Sequence, residues 1–212
     1  MVKEGIPFVA VFALIAAAFG VLQIWPLMIA FLLVAGFMLY FFRDPQRNVP
    51  DDAGLIVSAA DGRVTRIENG VDYKLVSVFL SPLDVHVNRS PISGKITEIE
   101  YTKGKKMPAT SDEASLINER NSLRIEGENI TVTVTQIAGI LARRIVCWAK
   151  TGDNLRRGQK FGLIKFGSRT DIRMPSNVEI AVAIGDRVKG GETIIARAMS
   201  EKVKEGKSEI VR

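Results

Sequence analysis

Uncharged and mostly apolar residues run without interruption from Gly5 to Phe42. As a single helix this segment of 38 residues would be about 57 Å long, whereas the hydrocarbon core of a bilayer is about 30 Å thick. Pro26 interrupts the run, and Trp25 beside it prefers the headgroup layer. The pattern therefore predicts a helical hairpin made of two short membrane spans. The spans are expected at residues 6–24 and 27–42, within a membrane segment of residues 1–42.

A cleavable signal peptide is the alternative interpretation of this apolar segment. The run is longer than the hydrophobic part of a signal peptide, and Lys3 is the only basic residue before it. Arg43 and Arg47 follow the second span, so the positive-inside rule predicts that the rest of the chain lies on the cytoplasmic side of the cell membrane. A lone cysteine, Cys147, agrees with a reducing compartment.

From residue 50 onwards, short β-branched runs alternate with glycine and polar turns. Runs of this kind predict strands, and no long segment with helical periodicity interrupts them. We therefore expect an all-β domain, a sandwich or a barrel, over residues 43–199. The longest predicted loop is residues 104–120, and the charged tail, residues 200–212, is expected to be disordered. The predicted strands are residues 55–58, 64–67, 74–80, 96–101, 130–137, 144–148, 161–166, 178–183 and 193–198.

Two pairs of similar segments suggest an internal duplication. Residues 61–67 resemble residues 93–99, and residues 152–158 return as residues 185–191. Glycine in such units supplies the positive φ angle of tight turns. The paired units resemble the barrel-sandwich hybrid of biotinyl and lipoyl carrier domains, so we expect a duplicated sheet domain of that type. A chance match of short glycine motifs is the alternative.

The charge balance favours an anionic partner. The chain has 29 Lys and Arg against 23 Asp and Glu, a formal net charge of +6. A basic domain beside a membrane favours anionic lipid. The basic residues are scattered and no nucleic-acid-binding motif occurs, so no nucleic-acid partner is expected. One histidine, His86, and one cysteine are too few for the common zinc sites, and no metal is expected.

Gly167-Ser168 is the only Gly-Ser dipeptide in the chain, and it follows the apolar run of residues 161–166. An ordinary turn is one interpretation. The other is an acyl shift, in which Ser168 Oγ attacks the carbonyl of Gly167, which has no Cβ to obstruct the approach. Elimination from the resulting ester would leave dehydroalanine, which hydrolyses to a pyruvoyl group.

Asp61, His86 and several arginines are further candidates for chemistry. Asp61 begins the first repeated segment, and His86 lies in a polar stretch after a predicted strand. Each is also compatible with an ordinary turn or loop. Arg43 directly follows the second span, where arginine often reaches toward the membrane surface without binding a ligand. The residues alone leave these interpretations open.

Taken in order, the motifs resemble the phosphatidylserine decarboxylases, particularly the short bacterial and archaeal forms. The resemblance covers essentially the whole chain, including the amino-terminal hairpin. Each motif alone is weak, but the ordered set is specific. The motifs are Phe-Phe-Arg-Asp-Pro at 41–45, Ala-Asp-Gly at 60–62, Leu-Ser-Pro-Leu-Asp-Val-His at 80–86, Asn-Glu-Arg-Asn at 118–121, Gln-Ile-Ala-Gly at 136–139, Ala-Arg-Arg-Ile at 142–145 and Gly-Leu-Ile-Lys-Phe-Gly-Ser-Arg at 162–169.

The resemblance implies a proenzyme that cuts itself between Gly167 and Ser168. The large chain, residues 1–167, would stay associated with the small chain, residues 168–212. Ser168 would become a covalent pyruvoyl group, with no external cofactor, and would form a Schiff base with the serine amine of phosphatidylserine. Loss of carbon dioxide and hydrolysis would release phosphatidylethanolamine, or the archaeal ether-lipid equivalent.

The better-known members of this family have a second histidine three residues after the first, which activates the serine together with an aspartate. Here that position is Arg89, which stays protonated and cannot act as a base. We therefore expect Asp61 to help deprotonate Ser168, directly or through water. Arg89 would orient this carboxylate or stabilise the oxyanion, and His86 would donate a proton during decarboxylation. The rival hypothesis is that His86 performs both tasks.

Lipid binding and assembly complete the expectations. The headgroup phosphate is expected to bind a basic patch facing the bilayer, made of Arg43, Arg63 and Arg66. The sequence leaves the oligomeric state open, including a homo-oligomer.

A membrane-tethered, non-catalytic biotinyl- or lipoyl-like module is the alternative from another functional class, although the Met-Lys-Met signature of the carrier domains is absent. Another pyruvoyl decarboxylase is the alternative enzyme, although the predicted hairpin favours a lipid substrate.

Overall fold

The computed structural model describes residues 1–104, 117–139, 144–165 and 168–199. Gly167 and the tail of residues 200–212 lie outside these ranges, and so does most of the predicted loop of residues 104–120. The expectations for these segments therefore stay predictions.

Two apolar helices form the amino-terminal part of the chain. A short 3₁₀ turn, Lys3–Gly5, leads into α1 (Ile6–Val21), and α2 (Trp25–Phe41) follows after a tight turn in which Gln23 has a φ angle of 58°. Pro26 lies in the first turn of α2, where its missing N–H costs no helical hydrogen bond. The helices thus lie close to the two predicted spans.

The two helices pack against each other as an antiparallel pair. Phe19 of α1 stacks on Phe31 of α2 with ring centroids 5.5 Å apart. At the other end, the Val2 N–H donates to the Phe42 carbonyl over 2.9 Å. Within the described residues, Lys3–Val21 is long and apolar enough to cross a membrane, while α2 is shorter. Insertion of the pair into a bilayer stays a prediction.

The remainder of the described chain is mostly strand, which confirms the expected β domain. Its element order matches the predicted strands, with additional strands that the hydrophobic pattern missed. The strands are β1 (Leu55–Val57), β2 (Gly62–Asn69), β3 (Tyr73–Leu80), β4 (Val87–Arg89), β5 (Gly94–Thr102), β6 (Arg120–Glu126), β7 (Thr131–Ala138), β8 (Arg144–Cys147), β9 (Asn154–Leu155), β10 (Lys160–Lys165), β11 (Ser168–Pro175), β12 (Val178–Ile180), β13 (Arg187–Val188) and β14 (Ile194–Ala198).

The strands form one large curled sheet and two small ones. The large sheet has the order β13-β2-β3-β11-β7-β6-β5-β9, and the small sheets have the orders β4-β10-β8 and β1-β14-β12. Apolar side chains from the large sheet pack inward with Ile56, Phe161 and Ile195 to form the main core. The fold is a curled half-barrel; it does not by itself identify the finer barrel-sandwich type.

The repeated segments occupy equivalent positions in the large sheet. Val64 donates to the Asp186 carbonyl and accepts from the Gly185 N–H, and Ile96 makes the same two bonds with Asp153 and Gly152. Both strands also carry an irregularity in register at these positions. The two pairs of segments are therefore structurally equivalent, as a duplication requires.

The helical pair shares a hydrophobic cluster with the β domain. Phe41 and Phe42, at the end of α2, are buried together with Val85, Val87 and Leu163. Before α1, the Glu4 carboxylate accepts a 2.6 Å hydrogen bond from the indole N–H of Trp148, which follows β8. The helices thus pack directly against the segment 85–87 and against β10.

Candidate active site

Ser168 is the first residue of β11, in the middle of the large sheet. It pairs with Leu80 of β3 on one side and with Ala138 of β7 on the other. Its side chain is completely buried, and its Oγ has no hydrogen-bond partner among the described residues. A buried hydroxyl without a partner costs free energy, so Ser168, like Ser77 of β3, is a candidate for a functional role.

The side chain of Ser168 faces the small sheet that contains β4. Residues two apart in a strand point to the same face, so Ser168 and Thr170 share one face of β11. The Thr170 hydroxyl accepts a 3.1 Å bond from the Asn88 side-chain amide of β4. His86 lies two residues before Asn88, and its carbonyl accepts from the Ile164 N–H of β10 over 3.2 Å. Ser168 therefore lies on the face of β11 that packs against β4, the strand that directly follows His86 in the chain.

His86 is buried and held in one tautomer. Its Nδ1 lies 2.9 Å from the carbonyl of Asp84, which can only accept, so Nδ1 carries the proton and Nε2 is the basic nitrogen. Burial, with a smaller effect of the nearby Arg43 charge, lowers the pKa of His86 from 6.5 to about 4, against the opposing effect of Asp84. The imidazole is therefore neutral at pH 7, which suits a proton acceptor.

Asp61 precedes β2 and binds the segment that follows α2. Both of its carboxylate oxygens lie 2.8 Å from the Arg47 guanidinium, and Oδ1 also accepts from the Gly190 N–H over 2.8 Å. Strand β3 lies between β2 and β11, so the Asp61 backbone is about 10 Å from β11. No described contact joins Asp61 to Ser168.

Arg89 belongs to the same charged cluster. Its guanidinium donates to Asp44 over 2.6 Å and to the Gly158 carbonyl over 3.0 Å. Burial lowers the pKa of Arg89, and the Asp44 carboxylate counteracts this effect. Lys160 also binds Asp44, over 2.6 Å. The structure thus brings Asp61 and Arg89 together, but around the linker after α2; we name Asp44, Arg47, Asp61, Arg89 and Lys160 the linker cluster.

The three arginines expected to bind lipid lie in different environments. Arg43 donates to the carbonyls of Tyr40 and Leu83 over 2.9 and 2.7 Å and stacks over the Tyr40 ring at 3.8 Å. Arg63 is exposed on β2, and Arg66 forms an ion pair with Glu68. They do not form one patch through any described contact.

A chain of buried amides beneath Ser168 was not assigned a role from sequence. Asn121 donates to Gln136 over 2.9 Å, Gln136 donates to Asn88 over 2.8 Å, and Asn88 donates to Thr170. All four side chains are buried. Asn121 and Gln136 lie within motifs that carry the family resemblance, and Thr170 directly follows another. This position in the motifs is the sequence signal that points to them. We name these four residues the amide chain.

The surroundings of Ser168 fit a group made from the serine itself. Its Oγ is enclosed, has no described partner and lies on the face of β11 that packs against β4. Within the described ranges, no group of three or more His, Cys, Asp or Glu side chains is placed to hold a metal ion. The burial also suits a reactive carbonyl that must be protected from water.

Comparison with known proteins gives a consistent result. The family model described as phosphatidylserine decarboxylase matches residues 34–196. A "Phosphatidylserine decarboxylase proenzyme" of Symbiobacterium thermophilum is 46% identical over 204 residues, 92% of this chain and 94% of that protein. A protein of the same name from Geotalea uraniireducens is 42% identical over 200 residues, 91% of this chain and 93% of that protein. These matches confirm the resemblance inferred from the motifs: the chain belongs to the phosphatidylserine decarboxylase family.

Proposed function

We propose that this chain is a proenzyme that cuts itself between Gly167 and Ser168 and then converts phosphatidylserine to phosphatidylethanolamine. The buried Ser168 Oγ, which has no described partner and lies on the face of β11 that packs against β4, is the observation that carries the proposal. The printed names of the relatives, which describe phosphatidylserine decarboxylase proenzymes, support the same reaction and the same processing. The residue that becomes the pyruvoyl group is Ser168.

The two chains produced by the cut would stay together. Strand β11 would belong to the small chain, yet it pairs with β3 of the large chain along its length and with β7 from Ser168 to Arg173. Strand β14 pairs with β1, and β13 pairs with β2. Because three strands of the small chain are paired with strands of the large chain, separation would break several ladders at once.

We assign the role of base in the self-cleavage step to His86, which is neutral and lies directly before β4. Its neutral Nε2 accepts the Ser168 Oγ proton, and the oxygen attacks the Gly167 carbonyl carbon. The Gly167–Ser168 amide bond breaks as its nitrogen takes a proton, which gives an ester. Loss of the Ser168 Hα and of the Gly167 carboxylate leaves dehydroalanine, and water converts this to the pyruvoyl group and ammonia. This assignment adopts the rival hypothesis, in which His86 serves both reactions.

In decarboxylation the pyruvoyl group supplies the electron sink for loss of carbon dioxide from the serine headgroup. The chain's own residues orient that group and manage the protons. The amide chain holds β11 against β4, which fixes the position of residue 168 relative to His86. His86, after accepting a proton, returns it to the carbon from which carbon dioxide has left.

The domain organisation and location follow from the apolar helices. We assign residues 1–42 to a membrane hairpin, residues 43–199 to the catalytic domain on the cytoplasmic side of the cell membrane, and residues 200–212 to a charged tail. The exposed apolar surface of α1 and α2 supports the hairpin, because such a surface is unfavourable in water. Anionic phospholipid would reach the site from the membrane, through the side at which α2 ends.

Intact-mass measurement of the purified protein tests the proposal. A small chain of 45 of the 212 residues, about 5 kDa of the 23.3 kDa total, should begin with a pyruvoyl group. The Ser168→Ala variant should remain uncut and should release no carbon dioxide from phosphatidylserine. An unbroken wild-type chain without decarboxylase activity would instead support the non-catalytic module.

A further inference from the structure

Two arginines lie directly opposite each other at the edge of the large sheet. Arg63 of β2 pairs in register with Arg187 of β13. Arg63 is exposed, and its side chain has no hydrogen bond or ion pair among the described residues. The Arg187 side chain is 70% exposed, and its one described polar contact is a 3.3 Å approach to Asp84. Like charges in directly opposed positions destabilise a sheet, and the Asp84 carboxylate contacts only the Arg187 member of the pair, so a second anion between the two guanidinium groups would stabilise them.

The position of this pair relates it to the candidate active site. Asp84 belongs to the turn of residues 81–84, immediately before His86, and its Oδ2 accepts bonds from the Ser81 amide and hydroxyl. Arg43 holds the other side of the same turn through the Leu83 carbonyl. The Leu83 side chain is 62% exposed. By strand register Arg63 lies on the sheet face opposite Ser168, level with Arg169, and the arginine pair adjoins the turn that leads to His86 at the end of the sheet where β11 begins.

The turn also lies level with the end of the apolar helices. Arg43, which binds the turn, lies two residues after the end of α2 and stacks on Tyr40 near the end of that helix. An exposed leucine between cationic side chains suits the boundary between acyl chains and headgroups. A lipid that enters along α2 would thus present its headgroup to this turn.

We propose that Arg63 and Arg187 together bind the phosphodiester of the substrate headgroup, an inference that rests on the proposed function. Guanidinium groups match the geometry of phosphate oxygens, and an anion between them removes their mutual repulsion. Arg63 belongs to the large chain and Arg187 to the small chain, so both chains contribute to the subsite. Arg66, paired with Glu68, and Arg43, bonded to two carbonyls, play no part in it.

The test uses processed enzyme and a short-chain phosphatidylserine below its micelle-forming concentration. Arg63→Gln and Arg187→Gln should each raise KM about tenfold, the loss expected for one charge-assisted contact, with kcat nearly unchanged. The double variant should lose less than the product of the two single effects, because both side chains contact one phosphate. Arg124→Gln, an exposed arginine on β6 of the same sheet, is the matched control and should leave KM unchanged.

Binding to vesicles of phosphatidylcholine with added phosphatidylglycerol separates headgroup recognition from general attraction to a charged surface. Under the proposal, KM for the soluble short-chain substrate rises in both single variants. A loss of vesicle binding with an unchanged KM for that substrate would overturn it, as would an unchanged KM in Arg187→Gln alone. Because the variants are read out in enzyme that is already cut and active, either result would leave the proposed decarboxylase function intact.

Discussion

The imidazole of His86 lies 4.3 Å, centroid to centroid, from the phenyl ring of Phe41. Phe41 is the last residue of α2 and is completely buried, together with Phe42 beside it. The end of an apolar helix is thus part of the wall around the candidate catalytic histidine. The helical pair is therefore more than a tether, because its removal would expose His86 to water.

Replacing Phe41 by alanine should raise the pKa of His86 from about 4 toward the ordinary value of 6.5, because water would then stabilise the charged imidazole. The chain has a single histidine, so its ring protons can be followed by NMR during a pH titration without assignment. The uncut Ser168→Ala background avoids interference from processing. Phe19→Ala, which removes a stacked ring at the far end of the helices, is the control. Equal pKa values in the two variants would mean that Phe41 does not shield His86.

The buried neutral histidine also predicts how stability depends on pH. Since the pKa of His86 is lowered to about 4 in the folded chain, the unfolded chain binds the proton more readily between about pH 6.5 and pH 4. His86 therefore does not reduce the free energy of unfolding above about pH 6.5. Below that pH the free energy of unfolding falls, by about 3 kcal/mol once the pH is below the pKa of the folded chain. Thermal unfolding of the Ser168→Ala precursor at several pH values measures this. A His86→Asn version should lack this part of the slope; an identical slope would contradict the assignment.

The strand that carries Ser168 could not be predicted from its hydrophobic pattern. The first residues of β11 place Ser168 and Thr170 on the inner face and Arg169 and Asp171 on the other, so no apolar alternation marks its start. The two charged side chains are buried as an ion pair, in which Arg169 Nε lies 2.9 Å from Asp171 Oδ1. Burial of polar groups in a central strand depends on partners from distant segments, which a local pattern does not contain.

The helices and the repeated segments could be predicted from the sequence, because their signals are local. A long uncharged run and a single proline suffice to place α1 and α2, and the glycine turns mark the paired units. The linker cluster shows the limit of this reasoning. The Asp61 carboxylate accepts hydrogen bonds from Arg47 and Gly190, and Arg89 donates one to Asp44. These partners are far apart in the sequence, and no motif spacing predicts their contacts. The expected link from Asp61 to Ser168 was based on family resemblance alone and stays untested.

The amide chain should control processing more strongly than its distance from Ser168 suggests. Asn88→Ala removes the bond to Thr170 and leaves the Gln136 side-chain amide without its acceptor. We expect a loss of about 1–3 kcal/mol in unfolding free energy and slower self-cleavage, because the start of β11 is no longer fixed against β4. Intact mass against time after synthesis gives the rate.

The control for the amide chain is Ser122→Ala, on β6 beside Asn121. Its hydroxyl lies 3.0 Å from the Thr135 hydroxyl, so the substitution also removes a hydroxyl–hydroxyl contact, but one outside the amide chain. If both variants slow processing in proportion to their loss of stability, the amide chain has a purely structural role. A rate restored by Asn88→Asp, which keeps the acceptor for Gln136, would support positioning.

The last prediction separates the two candidate bases. The Asp61 carboxylate is bound by Arg47, whose side chain is 5% exposed, and by the Gly190 amide. His86, in contrast, is neutral and lies directly before β4, against which the Ser168 face of β11 packs. His86→Ala should therefore remain uncut. Asp61→Asn should still be cut, but it should be less stable by about 3 kcal/mol, because a buried arginine loses its charge partner. Combining Asp61→Asn with Arg47→Gln should recover part of that loss, since no unpaired charge then remains. Should Asp61→Asn accumulate as precursor while His86→Ala is cut at the normal rate, the carboxylate would be the base, and the linker cluster would have to rearrange before cleavage.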